Sequence, residues 1–331
     1  MSERRYFITG GLGCIGAETT KWLLKQTSDD IYLCGRDVSD ARVKRVFADA
    51  DLTRLQALEA DVTDQASLSR ILSDHKITHV VHLAALQTPD CNKHRRLGLE
   101  INLGGTQNLI EAMKQNLATV QRFVFASSVA VYGPRNHYSQ DRIPMLAEPC
   151  PVNVYGAWKL AGEQISRLFA EEAGVPTISL RPGVLFGPGR DAGLTSTPTT
   201  AMKNVALNIP YQIPFINRQD YLYAPDVGAA FGNALIESHE GYGAFTLPSH
   251  SLKTEQVVDA IRRGAERLGV AEQCDISIGD QSVPFICDLD YQPFCDAFPR
   301  TPHTPFEDAV EASIATFLSQ AAKGWLQPCV S

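Results

Sequence analysis

Two side chains four residues apart, Tyr155 and Lys159, begin a stretch that reads as a helix, so both fall on one face. That pairing suits proton transfer. A free phenol, with a pKa of ~10, is a poor base at neutral pH. An ammonium ~4–5 Å away contributes ~3–4 kcal/mol at an effective dielectric of ~20, or ~2–3 pKa units in favour of phenolate. The pair can serve as general base in alcohol oxidation and as general acid in the reverse step. Upstream, Phe125-Ala126-Ser127-Ser128-Val129-Ala130-Val131-Tyr132-Gly133 ends an apolar strand in two hydroxyls. In open α/β sheets ligands bind at the carboxyl ends of the strands. A serine there can hydrogen-bond the reacting oxygen.

A second group of residues is built to bind. Thr9-Gly10-Gly11-Leu12-Gly13-Cys14-Ile15-Gly16 follows a short strand and opens a helix. Glycines at 10, 13 and 16 allow a tight turn and close backbone approach to a pyrophosphate, and the helix N-terminus offers free N–H groups and positive potential. The end of the next strand reads Leu33-Cys34-Gly35-Arg36-Asp37. An acidic residue at this point binds the ribose hydroxyls of NAD, whereas an arginine suits the phosphate of NADP. Gly35 holds the usual acidic position and Arg36 follows it, a slight lean to NADP, with Asp37 still able to serve NAD.

These residues need a scaffold that places them at strand ends. Apolar runs at 5–9, 31–34, 55–60, 80–85, 122–126 and 177–181 alternate with amphipathic stretches at about 16–25, 96–115 and 155–173. The pattern predicts an α/β fold, a Rossmann-type doubly wound parallel sheet with helices on both faces. After Arg181 a series of prolines breaks the chain into short pieces, which predicts a smaller C-terminal substrate-binding lobe. The expected division is 1–180 for the dinucleotide domain and 181–331 for the lobe, with 220–238 returning as a helix to the first domain.

The 331 residues carry a formal charge of −7, 44% apolar and 20% charged side chains. This is ordinary globular usage. A mild acidic excess argues against nucleic acid or an anionic membrane as partner. The polar start and the lack of a long apolar run lead us to expect a cytoplasmic protein. Eight scattered cysteines without a CxxC pair read as reduced thiols, and scattered histidines give no metal site.

Together these residues resemble the extended short-chain dehydrogenase/reductase family, which includes nucleotide-sugar epimerases and dehydratases. The matching pieces are TGGLGCIG at 9–16, Asp61-Val62-Thr63-Asp64, HLAA at 82–85, Asn102-x-x-Gly105-Thr106-x-Asn108-Leu109, SSVAVYG at 127–133, YGAWK at 155–159 and Arg181-Pro182-Gly183. The resemblance implies that Asp61 and Val62 contact adenine and that Leu83, Ala84 and Ala85 line the cofactor by backbone. It implies that Asn102 supports a loop near the active site and that Pro182 and Val184 pass the nicotinamide. Ser128 aligns with the family's catalytic hydroxyl, Tyr155 with its acid/base and Lys159 with the residue that binds the nicotinamide ribose. The family's helices near 96–115 and 155–173 often build a dimer contact, so a homodimer is expected here.

Departures from the family narrow the substrate. Nucleotide-sugar enzymes carry an asparagine where Val184 stands, and an arginine before an acidic–aromatic pair where Gln219 stands, with Arg218 adjacent. A diphosphate needs charge-assisted donors. The expected activity is therefore hydride transfer between a diffusible nicotinamide cofactor and a hydroxyl or carbonyl of a small polar substrate: a sugar, sugar acid or hydroxy acid. The alternative is an epimerase or dehydratase that retains NAD. Candidate substrate contacts are Gln87, Ser127, Ser128, His137, Arg190, Thr195 and Arg218, with either of the last two arginines available to a carboxylate.

Overall fold

The computed structural model describes residues 3–326 apart from Asp49 and Pro284, and only the backbone at Leu194. Cys329 lies outside the described residues. Twelve strands are described: β1 Arg5–Thr9, β2 Asp30–Gly35, β3 Leu55–Glu59, β4 His79–His82, β5 Arg122–Ala126, β6 Thr177–Arg181, β7 Val184–Phe186, β8 Tyr211–Phe215, β9 Arg218–Tyr223, β10 Tyr242–Thr246, β11 His250–Lys253 and β12 Ile276–Gln281. Seven of them form one parallel sheet in the order β10-β6-β5-β4-β1-β2-β3.

Strand alternation explains the two cores on this sheet. Tyr6 and Ile8 face one side with Leu33, Val81, Val124 and Ile178, where the helices Cys14–Gln26 and Ala224–Ile236 cover them. Phe7 faces the other side with Val80, Phe123 and Phe125, beneath Leu109, Met113 and Phe169 of the helices Gly105–Lys114 and Val154–Ala173. Burying side chains of this size stabilises by about 1.5–3 kcal/mol each. Continuous apolar strands such as Arg122–Ala126, buried at every residue, are what a sheet covered on both faces requires.

The chain's return to this sheet is larger than the helix expected at 220–238. Helix Ala224–Ile236 packs on Cys14–Gln26, with Trp22 Nε1 donating to Asn233 Oδ1 at 2.9 Å. It then leads into β10, which pairs in parallel with β6. Phe294 and Phe298 join the same core. The seventh strand, Tyr-Gly-Ala-Phe-Thr, is not among the expected runs, because it is short and contains glycine. The remaining segments form the second lobe. A three-stranded sheet β11-β9-β7 and the pair β12-β8 surround a core of Val184, Phe186, Phe215, Tyr221, Ile261 and Phe317.

Strand β4 carries two buried histidines, and burial holds both His79 and His82 down to about 3. Both stay neutral in the fold at any moderate pH, whereas the unfolded chain protonates them below ~6.5. Below that value the unfolded state binds more protons, so stability is present at neutral pH and is lost as pH falls toward 3. The expected loss is about 1.4 kcal/mol per pH unit for each histidine. Urea unfolding at pH 7 and pH 5 checks this. A variant with His79→Gln and His82→Gln should show a shallower pH dependence than the parent, and equal slopes would refute the assignment.

Candidate active site

The glycine turn sits between β1 and the helix Cys14–Gln26. Gly10 has φ +68°, the left-handed region, and a Cβ there would lie 2.9 Å from Ala84 N. Thr9 Oγ1 accepts from Leu83 N at 3.1 Å and Ala84 N at 3.2 Å, which ties the turn to the strand end bearing Ala84 and Ala85. Gly13 caps the helix, and the N–H groups of Cys14, Ile15 and Gly16 fall in its first turn, where an α-helix offers no acceptor. The Cys14 thiol is pushed up to about 12 by burial, so it is an inert packing group. This turn has the backbone clearance and donor set that a dinucleotide pyrophosphate needs.

The residues expected to meet adenine are held in a loop braced by side chains. Asp61 Oδ1 accepts from Thr63 N at 2.9 Å and from Thr63 Oγ1 at 2.8 Å, closing its own loop. Asn108 Nδ2 donates to the carbonyls of Val62 and Thr63, each at 3.1 Å. At the end of β2, Arg36 is exposed, while Asp37 accepts from Arg42 Nη1 at 3.0 Å and is held below its ordinary range by Ser39 N–H and Arg42. Asn102 has a different task. It lies on a π-helical turn, Leu99–Gly104, and grips Leu86 by both backbone groups: its Oδ1 accepts from Leu86 N at 2.8 Å and its Nδ2 donates to Leu86 O at 3.0 Å. That clamp orients the loop carrying Gln87.

The catalytic group assembles from two elements. Asn153 caps the helix Val154–Ala173 by accepting from Gly156 N at 2.9 Å, which places Tyr155 in the first turn. Ser128 follows β5, caps a short 3-10 turn by accepting from Ala130 N at 3.1 Å, and lies close enough to the Tyr155 hydroxyl to pull its pKa down. Lys159 is buried one turn on; its Nζ donates to Ala126 O at 2.6 Å and lies 5.7 Å from the Tyr155 ring centroid. The expected acidification of the phenol by this ammonium is not met. Burial pushes the Tyr155 phenol above its ordinary value, against the opposing pull of Ser128 and Arg190. Burial also brings Lys159 down to about 8. The physical reason is that both groups leave water together, and the lysine's charge is spent partly on a carbonyl. The phenol is therefore an acid at neutral pH, and it needs further positive charge nearby to act as a base.

The approach of the two elements depends on Gly156. A Cβ there would sit 2.1 Å from Ala130 O, which is backbone and cannot yield cheaply. Gly156→Ala should push the helix start away from the 128–131 segment and part Ser128 from Tyr155. We expect a fall in kcat of about 10²-fold, since displacements near 1 Å cost that much. Steady-state rates alongside cofactor binding test this: an unchanged kcat would show that the contact does not position the pair.

The two serines have separate fates. Ser127 is buried and donates to Glu163 Oε1 at 2.5 Å, away from any substrate role. Glu163 also takes Arg181 Nε and Nη2 at 2.7 Å each, and Arg181 Nη1 donates to Tyr132 Oη at 2.7 Å and Met145 O at 2.9 Å. Sequence reasoning missed Glu163. The available signal was a carboxylate four residues beyond Lys159 on the buried face of the same helix.

The other expected contacts divide likewise. Gln87, Arg190 and Thr195 come together: Arg190 Nη1 donates to Gln87 Oε1 at 3.2 Å and Nη2 to Thr195 Oγ1 at 3.1 Å. Arg218 does not join them. It is ion-paired with Asp288 Oδ1 at 2.7 Å, bonded to Ser251 at 3.0 Å, and lines a cavity of about 330 Å³ that contains none of the catalytic trio. His137 is exposed on a turn. Pro182 accepts from Val129 N at 3.1 Å, beside Ser128, while the Val184 side chain belongs to the lobe core.

Residues 6–244 match the NAD dependent epimerase/dehydratase family. The chain belongs to that family. Its curated relatives include an uncharacterised epimerase/dehydratase of Staphylococcus aureus strain USA300, 27% identical over 78% of this chain and 79% of the relative. Another, from Staphylococcus saprophyticus, is 25% identical over 78% of this chain and 80% of the relative. Among solved structures, the fold matches UDP-N-acetylglucosamine 4-epimerase from Methanobrevibacter ruminantium in complex with UDP-N-acetylmuramic acid. That match has a TM-score of 0.81 and 21% identity, and covers 97% of this chain and 100% of that one. UDP-glucose 4-epimerase from Thermus thermophilus, in complex with NAD, matches with a TM-score of 0.75 and 23% identity over 95% and 98% of the two chains. The protein is thus an extended short-chain dehydrogenase/reductase enzyme of the NAD dependent epimerase/dehydratase family.

In such an enzyme the turn at Gly10–Gly16 and the backbone of Leu83–Ala85 would hold the dinucleotide, with Lys159 toward its nicotinamide ribose. A nicotinamide held there would supply the hydride chemistry and, when oxidised, positive charge. Of the protein's own residues, Ser128 would orient the substrate oxygen, Tyr155 Oη would give it a proton or take one, and Lys159 would add positive charge one helical turn away.

Proposed function

We propose that the protein is an NAD(P)-dependent dehydrogenase or reductase acting on the hydroxyl or carbonyl of a small polar substrate, a sugar, sugar acid or hydroxy acid. One observation carries this reading. At the position of the diphosphate-binding arginine of nucleotide-sugar enzymes stands Gln219, fully buried, its amide nitrogen and oxygen both without partners. The adjacent Arg218 is turned to Asp288. The charge that a nucleoside diphosphate would need is therefore missing where the family supplies it.

The test is direct. Purified protein, NAD or NADP and a panel of polyhydroxy acids, sugars and hydroxy acids should give net formation of reduced nicotinamide. Interconversion of UDP-sugars on cofactor that co-purifies, with no net absorbance change, would establish the epimerase alternative instead. The free, exposed Arg36 and the engaged Asp37 favour NADP, whereas solved relatives such as the T. thermophilus epimerase hold NAD. Comparing the two cofactors, with and without Arg36→Ala, decides the preference.

A homodimer accompanies this reading. Leu97 and Leu168 are 45% and 44% exposed on the helices that often pair in this family, while Leu109, Met113 and Phe169 of the same helices belong to the core. Seven unpaired cysteines among the described residues suit a reducing, cytoplasmic setting. Light scattering checks the first point.

A further inference from the structure

We propose that Arg190, braced by Gln87 and Thr195, receives a single carboxylate of the substrate. The site would then select a small hydroxy acid over the neutral polyol of the same carbon chain. The inference rests on the dehydrogenase reading above and narrows its substrate class.

Three observations converge on it. Arg190 lies on the segment after β7, which presses on the glycine turn: a Cβ on Gly189 would meet Cys14 Cα at 3.5 Å, and Cys14 Sγ lies 3.8 Å from Pro188 O. Its other neighbour, Gln87, follows β4 on the loop gripped by Asn102. The guanidinium is thereby held between the cofactor turn and the catalytic strand ends, and its charge is felt at Tyr155. Second, both braces are neutral oxygens, so they fix the plane of the fork without neutralising it. Nε is buried and has no partner. The Nε–Nη2 edge of a guanidinium is the one that takes a carboxylate side-on, through two parallel hydrogen bonds. Two residues past Thr195, the buried Thr197 hydroxyl also lacks a partner, a donor or acceptor for a substrate hydroxyl.

The third observation is a count of charges. Asp191, next in the chain, is itself bound to Lys203. Lys159 donates to Ala126 O, and Arg181 is paired with Glu163. Arg135 holds three carbonyls and Asp288, and Arg218 holds Asp288 and Ser251. Among these cations only Arg190 has a buried donor free and no carboxylate bound. A buried cation without a counter-charge is costly. Lys159 also lacks a carboxylate, but its Nζ is engaged by Ala126 O beside Tyr155; the Arg190 charge that is left matches one carboxylate and falls short of a diphosphate.

The experiment compares D-gluconate and L-threonate with the alditols of the same carbon chains, using intact protein with NAD or NADP. The wild type should favour the acids in kcat/KM by about 10²-fold or more. Arg190→Met should lose about 10²-fold on the acids, chiefly through KM, with cofactor Kd unchanged and a much smaller change on the alditols, confined to kcat because the charge also acts on Tyr155. Arg190→Lys should fall between, keeping charge but losing the fork. Weakened cofactor binding in Arg190→Met with acid preference intact would overturn the proposal and assign the guanidinium to the dinucleotide. Equal use of acids and alditols by the wild type, or failure of both acids to bind or react, would also overturn it. Calorimetric titration separates the two readings. If an acid binds, Arg190→Met abolishes that binding and no reduced nicotinamide forms, the carboxylate site stands and the dehydrogenase reading falls.

Discussion

Replacing Tyr155 by phenylalanine is expected to lower kcat by about 10²–10⁴-fold, the contribution typical of a positioned acid–base group. The change removes one oxygen. The ring remains in the first turn of its helix, and Asn153 still caps that helix through Gly156. What is lost is the hydroxyl that Ser128 and Arg190 both act on. Cofactor affinity should hold, because the glycine turn is untouched. Single-turnover hydride transfer measured beside cofactor Kd separates these effects. A rate within about threefold of the parent would remove Tyr155 from proton transfer. The phenol's raised pKa sets a direction as well. In carbonyl reduction the protonated phenol is the competent form at neutral pH, so reduction should slow on the alkaline side as the proton is lost. Lys159, held to about 8, loses its charge in the same direction. The phenylalanine variant's residual rate should lose the part of this pH dependence that Tyr155 supplies.

Replacing Glu163 by glutamine should cost about 3–5 kcal/mol of stability, the usual cost of stranding a buried charge. Glu163 is 1% and Arg181 7% exposed. The carboxylate takes two guanidinium donors and the Ser127 hydroxyl. Removing its charge leaves Arg181 buried without compensation. The loss should reach the site too, because Arg181 Nη1 also braces Tyr132, and Tyr132 closes the turn that begins at Ser128. Urea unfolding of Glu163→Gln, Arg181→Met and the double variant tests this. The double variant should be more stable than the sum of the single losses predicts, since removing both charges strands neither. Additive losses would show that the pair is not coupled.

Much of the scaffold can be read from short stretches of sequence. Strands at 5–9, 122–126 and 177–181 coincide with the apolar runs, because a strand buried on both faces is mostly apolar, its few polar residues, such as Ser179, being buried with hydrogen-bond partners. The glycine turn is legible for a similar reason. A left-handed φ at Gly10 and a backbone neighbour at Ala84 forbid a side chain, and the sequence carries that prohibition as a glycine. The seventh strand escaped because β10 is recognisable only by its partner β6.

For the site, the order of residues already names the groups available: a phenol and an ammonium one helical turn apart, two adjacent hydroxyls after a strand, and an arginine in the second lobe. These follow from spacing along one backbone. What each group does is settled by packing. Folding sends Ser127 to Glu163 and sets Ser128 near enough to Tyr155 to act on its phenol. It gives Arg218 a carboxylate and leaves Arg190, 103 residues from its brace Gln87, with a free buried edge. It also makes burial, rather than the neighbouring ammonium, the stronger influence on the phenol. The reason is range. Hydrogen-bond partners, desolvation and charge compensation depend on everything packed within a few ångströms, and most of that comes from distant parts of the chain.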